Sequence, residues 1–175
     1  VGTGLLATAD LALADERVCR GKLGRVIVDD LRVPPNTKCV LNRTRVEGTI
    51  KVERGGVLLA SRVVVDGNIQ AERAKRVLVN KSSRVDGSVQ VEKSGRATVA
   101  NGTVNGNIQF ESNSGALRIT NTAVDGDIQV FQNRGGARIV GNRVEGNLQC
   151  KSNNPAPVGG RNVVDGNKED QCRRL

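Results

Sequence analysis

The chain has 175 residues, enough for one domain-sized core, and carries 27 basic against 18 acidic residues, a formal charge of +9. Two Phe are its only aromatics, and Met, His, Trp and Tyr are absent, which argues against a thick globular core and against histidine-based catalysis or metal binding. No apolar run reaches the length of about 18 residues that a membrane-spanning helix needs, and the excess of positive charge favours anionic partners.

Residues 1–14, VGTGLLATADLALA, are apolar and end in Ala12-Leu13-Ala14 before Asp15. That A-x-A ending reads as the back half of a secretory signal peptide; the other reading is a segment packed over the first coil. The domain proper then runs from 15 to 175. Residues 15–24 (DERVCRGKLG) are polar and hold the first cysteine. Ile27, Asp29, Leu31 and Val33 alternate, Pro34-Pro35-Asn36 forces a turn, and Cys39 and Leu41 form a short second strand.

From there a signature repeats. Val65-Asp66-Gly67-Asn68-Ile69-Gln70 has counterparts led by Val46, Val85, Val104, Val124, Val144 and, decaying, Val164. The leading valines stand 19, 20, 19, 20, 20 and 20 residues apart. A fixed period near 20 marks a solenoid, whose units bury their apolar sides only by stacking. Within one copy, Val85, Gly87, Val89 and Val91 alternate with polar residues as one long strand, and Ala97 and Val99 make a shorter one after a Gly-containing corner. The inward pairs of other copies read as Val57/Leu59, Val77/Val79, Leu117/Ile119 and Ala137/Ile139. Strands a full coil apart must run parallel. The expected fold is all-β: a single-stranded parallel β-helix, right-handed by the crossover rule, with about seven coils of about 20 residues. The strict six-residue period of left-handed hexapeptide helices is absent.

Stacking turns equivalent positions into columns. A glycine column (48, 67, 87, 106, 126, 146, 166) lets backbone approach where a Cβ would not fit, and an asparagine column (42, 80, 101, 121, 142) suits tight corners. Lys168 takes an apolar slot in the last copy, so the charged tail 168–175 reads as a cap. Four cysteines allow three pairings. Cys19 and Cys39 lie one coil apart, as do Cys150 and Cys172, so each pair is expected to staple one end. Each bridge closes a loop of about 20 residues, on the order of 3 kcal/mol in the chain-entropy model, and fits an oxidising compartment. Without CxxC or His, no zinc site is expected.

The VxGxIQ coils, the ending GNLQCKSNNPAP…GNKEDQC and the opening VCRG…VDDLRVPPNTKC resemble a group of secreted bacterial proteins with no assigned activity, best known from actinobacteria. The resemblance covers nearly the whole chain from Asp15. It implies export and a right-handed parallel β-helix, and lends no catalytic residue. More distantly, the coil is similar to those of pectate lyase-like β-helices.

The outward face of the long strand offers the candidate binding columns: Asp66, Asp86, Asp125 and Glu145 in one, Gln70, Gln90, Gln109 and Gln129 in another. Stacked acids repel, so either Ca²⁺ or the flanking Arg45, Arg84 and Arg143 must compensate them. Two basic stripes, Arg54/Arg73/Lys93 and Arg76/Arg96/Arg118/Arg138, are suited to hold a polyanion nonspecifically. No aromatic platform for sugars or bases accompanies them. The expectation is a secreted, monomeric, non-catalytic structural or binding module for anionic polysaccharide or cell-wall polymer, with no cofactor and no specific nucleic-acid recognition. The alternative is a Ca²⁺-dependent polysaccharide lyase-like enzyme on acidic glycans, with Asp66, Asp86 and Asp125 as ligands and Arg84 as base.

Overall fold

The structure, a computed structural model, describes residues 15–175; the segment read as a signal remnant lies outside the described residues. Among them all regular structure is strand, arranged in three parallel sheets of nine, eight and eight strands. Sheet A runs from Glu16–Val18 to Lys168–Asp170, sheet B from Gly21–Leu23 to Val158–Gly160, and sheet C from Ile27–Val28 to Val163–Val164. Each rung visits C, A and B in turn and then climbs one strand spacing, about 4.8 Å. The rung of Arg84–Val85, Val89–Glu92 and Arg96–Ala100 is representative. Register places Ile69, Val89 and Ile108 above one another in A, Val77, Ala97 and Leu117 in B, and Val65, Val85 and Val104 in C. These columns are buried and meet in one narrow core. A core only two or three side chains across is filled by Val, Ile, Leu and Ala, which is why the near-absence of aromatics is tolerated. Full burial of each aliphatic side chain is worth roughly 1.5–3 kcal/mol.

Three details depart from the sequence reading. The long strand is two strands: sheet C ends at Val85 and sheet A begins at Val89, with a corner at Asp86-Gly87-Ser88. Alternation runs through that corner because Val85 and Val89 are an even number of residues apart. The solenoid also starts a rung earlier than its first signature, since Asp30–Val33 already pairs with Ile50–Val52, so the rungs number about eight rather than seven. Lastly, parity is shifted in two places. Leu58 and Ala60 are buried where Val57 and Leu59 were expected, and Val28 is inward while Ile27 is 67% exposed. Val57-Leu58-Leu59-Ala60 is apolar on both faces, so alternation alone cannot choose its inward side.

The corners are held by side chains bonding to the backbone of the next rung. At the C-to-A corner Asp30, Thr49, Asn68, Ser88, Asn107, Asp127 and Asn147 each accept the N–H of their counterpart one rung on, at 2.6–3.3 Å. The preceding glycines have no room for a side chain: a Cβ on Gly67 would stand 2.5 Å from Gly48 O, and one on Gly106 2.7 Å from Gly87 C and O. The expected close approach is therefore the reason for this column.

The expected asparagine column is not one column. Asn101 and Asn121 take left-handed φ (52° and 48°) at the B-to-C corner, Asn42 and Asn80 end sheet B strands, and Asn142 is buried one position further along. The main buried amide ladder lies at the A-to-B corner, at Asn113, Asn133 and Asn153. Asn133 Nδ2 donates to Asn153 Oδ1 and to Phe110 O, both at 2.9 Å, while Asn133 Oδ1 accepts the N–H and Nδ2 of Asn113 at 2.9 and 3.0 Å. Gln171 closes this ladder, accepting Asn153 N and Nδ2 at 2.9 and 3.0 Å.

Disulfides join Cys19 to Cys39 and Cys150 to Cys172, with Cα atoms 5.5 and 5.2 Å apart. Both link neighbouring rungs at the two ends, where strands have a partner on one side only. The tail does cap the C-terminal end of sheet A, through Gln171, buried Cys172 and Leu175 against the core, with Lys168 over Leu148. The last strands of sheets B and C, Val158–Gly160 and Val163–Val164, have no further strand above them among the described residues, and Val158 and Val163, in register with the outward Arg138 and Arg143, are exposed on the outer face.

Candidate functional site

The outward side chains form three environments. On sheet A, the glutamine column is a hydrogen-bonded chain. Gln70 donates to Gln90 at 3.3 Å, Gln90 to Gln109 and Gln109 to Gln129 at 2.8 Å, Gln129 to Gln149 at 2.9 Å, and Gln149 to Glu169 at 3.1 Å. Below Gln70 the column continues as Lys51 and Arg32. A hydrogen bond from Arg32 Nε to Glu16 at 2.8 Å holds that guanidinium above its ordinary pKa. The four glutamines singled out in the sequence thus come together: each spends one N–H on the next, and Gln90, Gln109 and Gln129 also spend an oxygen on the one before. Beside them lies an open concavity of about 420 Å³ with walls of mixed charge, among them Lys51, Glu53, Arg54, Glu72, Arg73 and Glu92.

The acidic column sits at the C-to-A corner. Asp66 pairs with Arg45 Nη2 at 2.6 Å, and Asp86 with Arg84 Nε at 2.6 Å while also accepting Asn105 Nδ2 at 3.1 Å. Arg143 reaches past its own rung to Asp165 at 3.2 Å. Arginine compensation, one of the two expected solutions, is therefore what these acids use. Asp125 and Glu145 are exposed neighbours with no ion pair among the described residues. The proposed calcium set does not assemble: Asp66 and Asp86 are one rung apart, Asn105 occupies the next place, and Asp125 follows beyond it. Arg84, the candidate base, is committed to Asp86. No group of three His, Cys, Asp or Glu is placed to hold a metal ion among the described residues.

The third environment is sheet B with its two corners. Here the chain holds no acid at all: residues 34–46, 54–65, 73–85, 93–104, 112–124, 132–144 and 151–164 contain neither Asp nor Glu. Basic side chains recur there in every rung. The stripe read as Arg76/Arg96/Arg118/Arg138 is two short columns on one face: Arg76 pairs in register with Arg96, and Arg118 with Arg138, two positions further along the strand. All four are exposed. The stripe Arg54/Arg73/Lys93 follows sheet A at the corner, where Arg73 lies 3.8 Å from Glu72. Half-buried Val40, Leu59 and Leu78 continue the outward column of Thr98 and Arg118 toward the N-terminal end.

The sequence reading missed the completeness of this segregation. Its signal was available, as the missing acids between each rung's eighth position and the next leading valine. Comparison with protein-family models, with curated protein sequences and with solved structures returns no match for the chain.

Proposed function

We propose that the chain is a secreted, non-catalytic β-solenoid that serves as an extracellular or cell-surface module binding anionic polymers, acidic polysaccharide or cell-wall polymer in kind. The observation that carries this reading is the charge partition. Among the described residues, acids are confined to sheet A and its corner with sheet C, whereas sheet B and its flanks carry cations alone. A net charge of +9 spread evenly would serve solubility; the same charge drawn to one side makes a field that attracts a linear anion. A repeating wall also offers the same contact in successive rungs, and weak contacts then add by multivalency.

Export is supported by the two disulfides, which fit an oxidising environment, and by the A-x-A ending of residues 1–14. The non-catalytic reading is supported by the chemistry available. All four cysteines are in disulfides, His is absent, and two concavities of about 420 and 410 Å³ among the described residues are both open to solvent.

The test is retention of the purified chain on insoluble cell wall and on immobilised polygalacturonate across a salt series. Retention at low ionic strength with steep release as salt rises is expected, because exposed charges are screened over about 10 Å at 0.1 M. Passage through both at low salt overturns the proposal.

A further inference from the structure

The binding reading above leaves open which face does the work, and the outer surface of sheet B singles itself out. Asp125, Glu145, Glu92 and Glu111 take no ion pair among the described residues, but at sheet A and the C-to-A corner four arginines find acids within reach, in Arg32–Glu16, Arg45–Asp66, Arg84–Asp86 and Arg143–Asp165. Sheet B does the opposite. Arg76, Arg96, Arg118 and Arg138 occupy four consecutive rungs, one guanidinium in each, and none is in an ion pair among the described residues. Like charges directly opposite in a sheet are destabilising, and no acid on this face relieves them. Four guanidinium groups in consecutive rungs, on a face whose sequence supplies no acid, are suited to an anion supplied from outside.

We infer that this arginine track is the docking line for a linear polyanion lying parallel to the solenoid axis. This rests on the anionic-polymer reading and adds to it the face and the direction. Arg76 to Arg96 is one strand spacing, about 4.8 Å, and so is Arg118 to Arg138. The step from Arg96 to Arg118 adds a sideways shift of two residues, about 6.6 Å along the strand. The track is thus a shallow diagonal with a charge at every rung, which a flexible chain bearing repeated carboxylates or phosphodiesters can follow. Guanidinium forks grip either anion in a bidentate manner, whereas a chain laid across the rungs would meet one arginine at a time. Because the track is flat and lacks aromatic platforms, recognition is of charge repeat rather than of sugar or base identity.

The experiment compares wild type with two quadruple variants that lower the net charge equally. One is R76Q/R96Q/R118Q/R138Q; the other, R45Q/K51Q/R84Q/R143Q, neutralises cations outside sheet B. Binding to polygalacturonate, to poly(glycerol phosphate) and to double-stranded DNA is measured at several salt concentrations, with circular dichroism to verify the fold. The sheet B variant is expected to lose tenfold or more in affinity with a flatter salt dependence, and to melt at the same or a higher temperature because repulsion is relieved. The other variant is expected to stay within about threefold. The arms separate the two anion sources, since carboxylate and phosphodiester polymers are presented separately. Equal losses in the two variants, or none in the sheet B variant, would refute the track while leaving polymer binding intact. Wild type binding neither polymer removes the underlying reading as well, and tight binding to DNA alone overturns the choice of partner. Should the sheet B variant misfold, the single reversal R118E replaces it, with an affinity loss again expected; should the other misfold, the single K51Q replaces it, with a change of no more than about threefold expected.

Discussion

Gln149 donates from Nε2 to Glu169 Oε2 at 3.1 Å, and this contact sets the direction of the whole glutamine ladder. A carboxylate only accepts, so Gln149 must turn its amide nitrogen toward it and its oxygen back toward Gln129. The same orientation then passes down to Gln70, whose register neighbour Lys51 is a donor only. Glu169→Lys places a donor against a donor and is expected to cost about 1 kcal/mol in urea unfolding, whereas Glu169→Gln, which keeps an acceptor oxygen, stays within about 0.5 kcal/mol. Equal stability of the two variants would show that the ladder has no direction.

Asn133 stands in the middle of the buried corner amides, between Asn113 and Asn153. Asn133→Ala leaves the N–H of Asn113 without its partner inside the protein and removes a second hydrogen bond from Phe110 O, which keeps its place in the sheet A ladder. An orphaned buried group costs about 1–3 kcal/mol, so a loss of at least about 1 kcal/mol in chemical denaturation is expected. A loss below about 0.5 kcal/mol contradicts a structural role for the ladder.

Gly106→Ala tests the glycine column. Its Cβ would meet Ser88 Oγ at 2.5 Å and the backbone of Gly87 at 2.7 Å, so the rungs must separate locally. A destabilisation of roughly 1–3 kcal/mol is expected, as for overpacking. Gly24→Ala meets nothing within 4 Å and is expected to be nearly silent. Similar melting of the two variants would contradict the close approach.

The calcium-dependent lyase reading makes its own prediction. With Asp66 and Asp86 already paired to arginines, EDTA is expected to leave the melting temperature unchanged, and no unsaturated product should absorb when the chain is incubated with polygalacturonate and Ca²⁺. Calcium-dependent product formation would overturn the non-catalytic proposal.

The stacking itself was legible because one hexapeptide recurs at a nearly constant interval, which fixes which residues become vertical neighbours. The disulfide partners followed from the same interval. The number of faces was not legible, since Val85 and Val89 keep the same parity across a corner that alternation cannot detect. Inward residues were misassigned where Val57 to Ala60 are apolar on both sides, although the six-residue step from Ala71 to Val77 and from Val91 to Ala97 in the next two rungs, applied to Val52, would have chosen Leu58. The acidic and glutamine columns drew the eye as candidate sites because they are regular. Coordinates turn much of that regularity inward, into ion pairs and amide chains. The arginines of sheet B looked like a loose stripe because their columns change position between Arg96 and Arg118.

Everything above depends on residues about one period apart being vertical neighbours from the first rung to the last. Peptide mapping of the non-reduced protein by mass spectrometry tests this most directly, because the four cysteines lie at the two extremities. Cross-linked peptides joining Cys19 to Cys39 and Cys150 to Cys172 are the predicted result. A peptide linking either N-terminal cysteine to Cys150 or Cys172 would contradict the stacked solenoid.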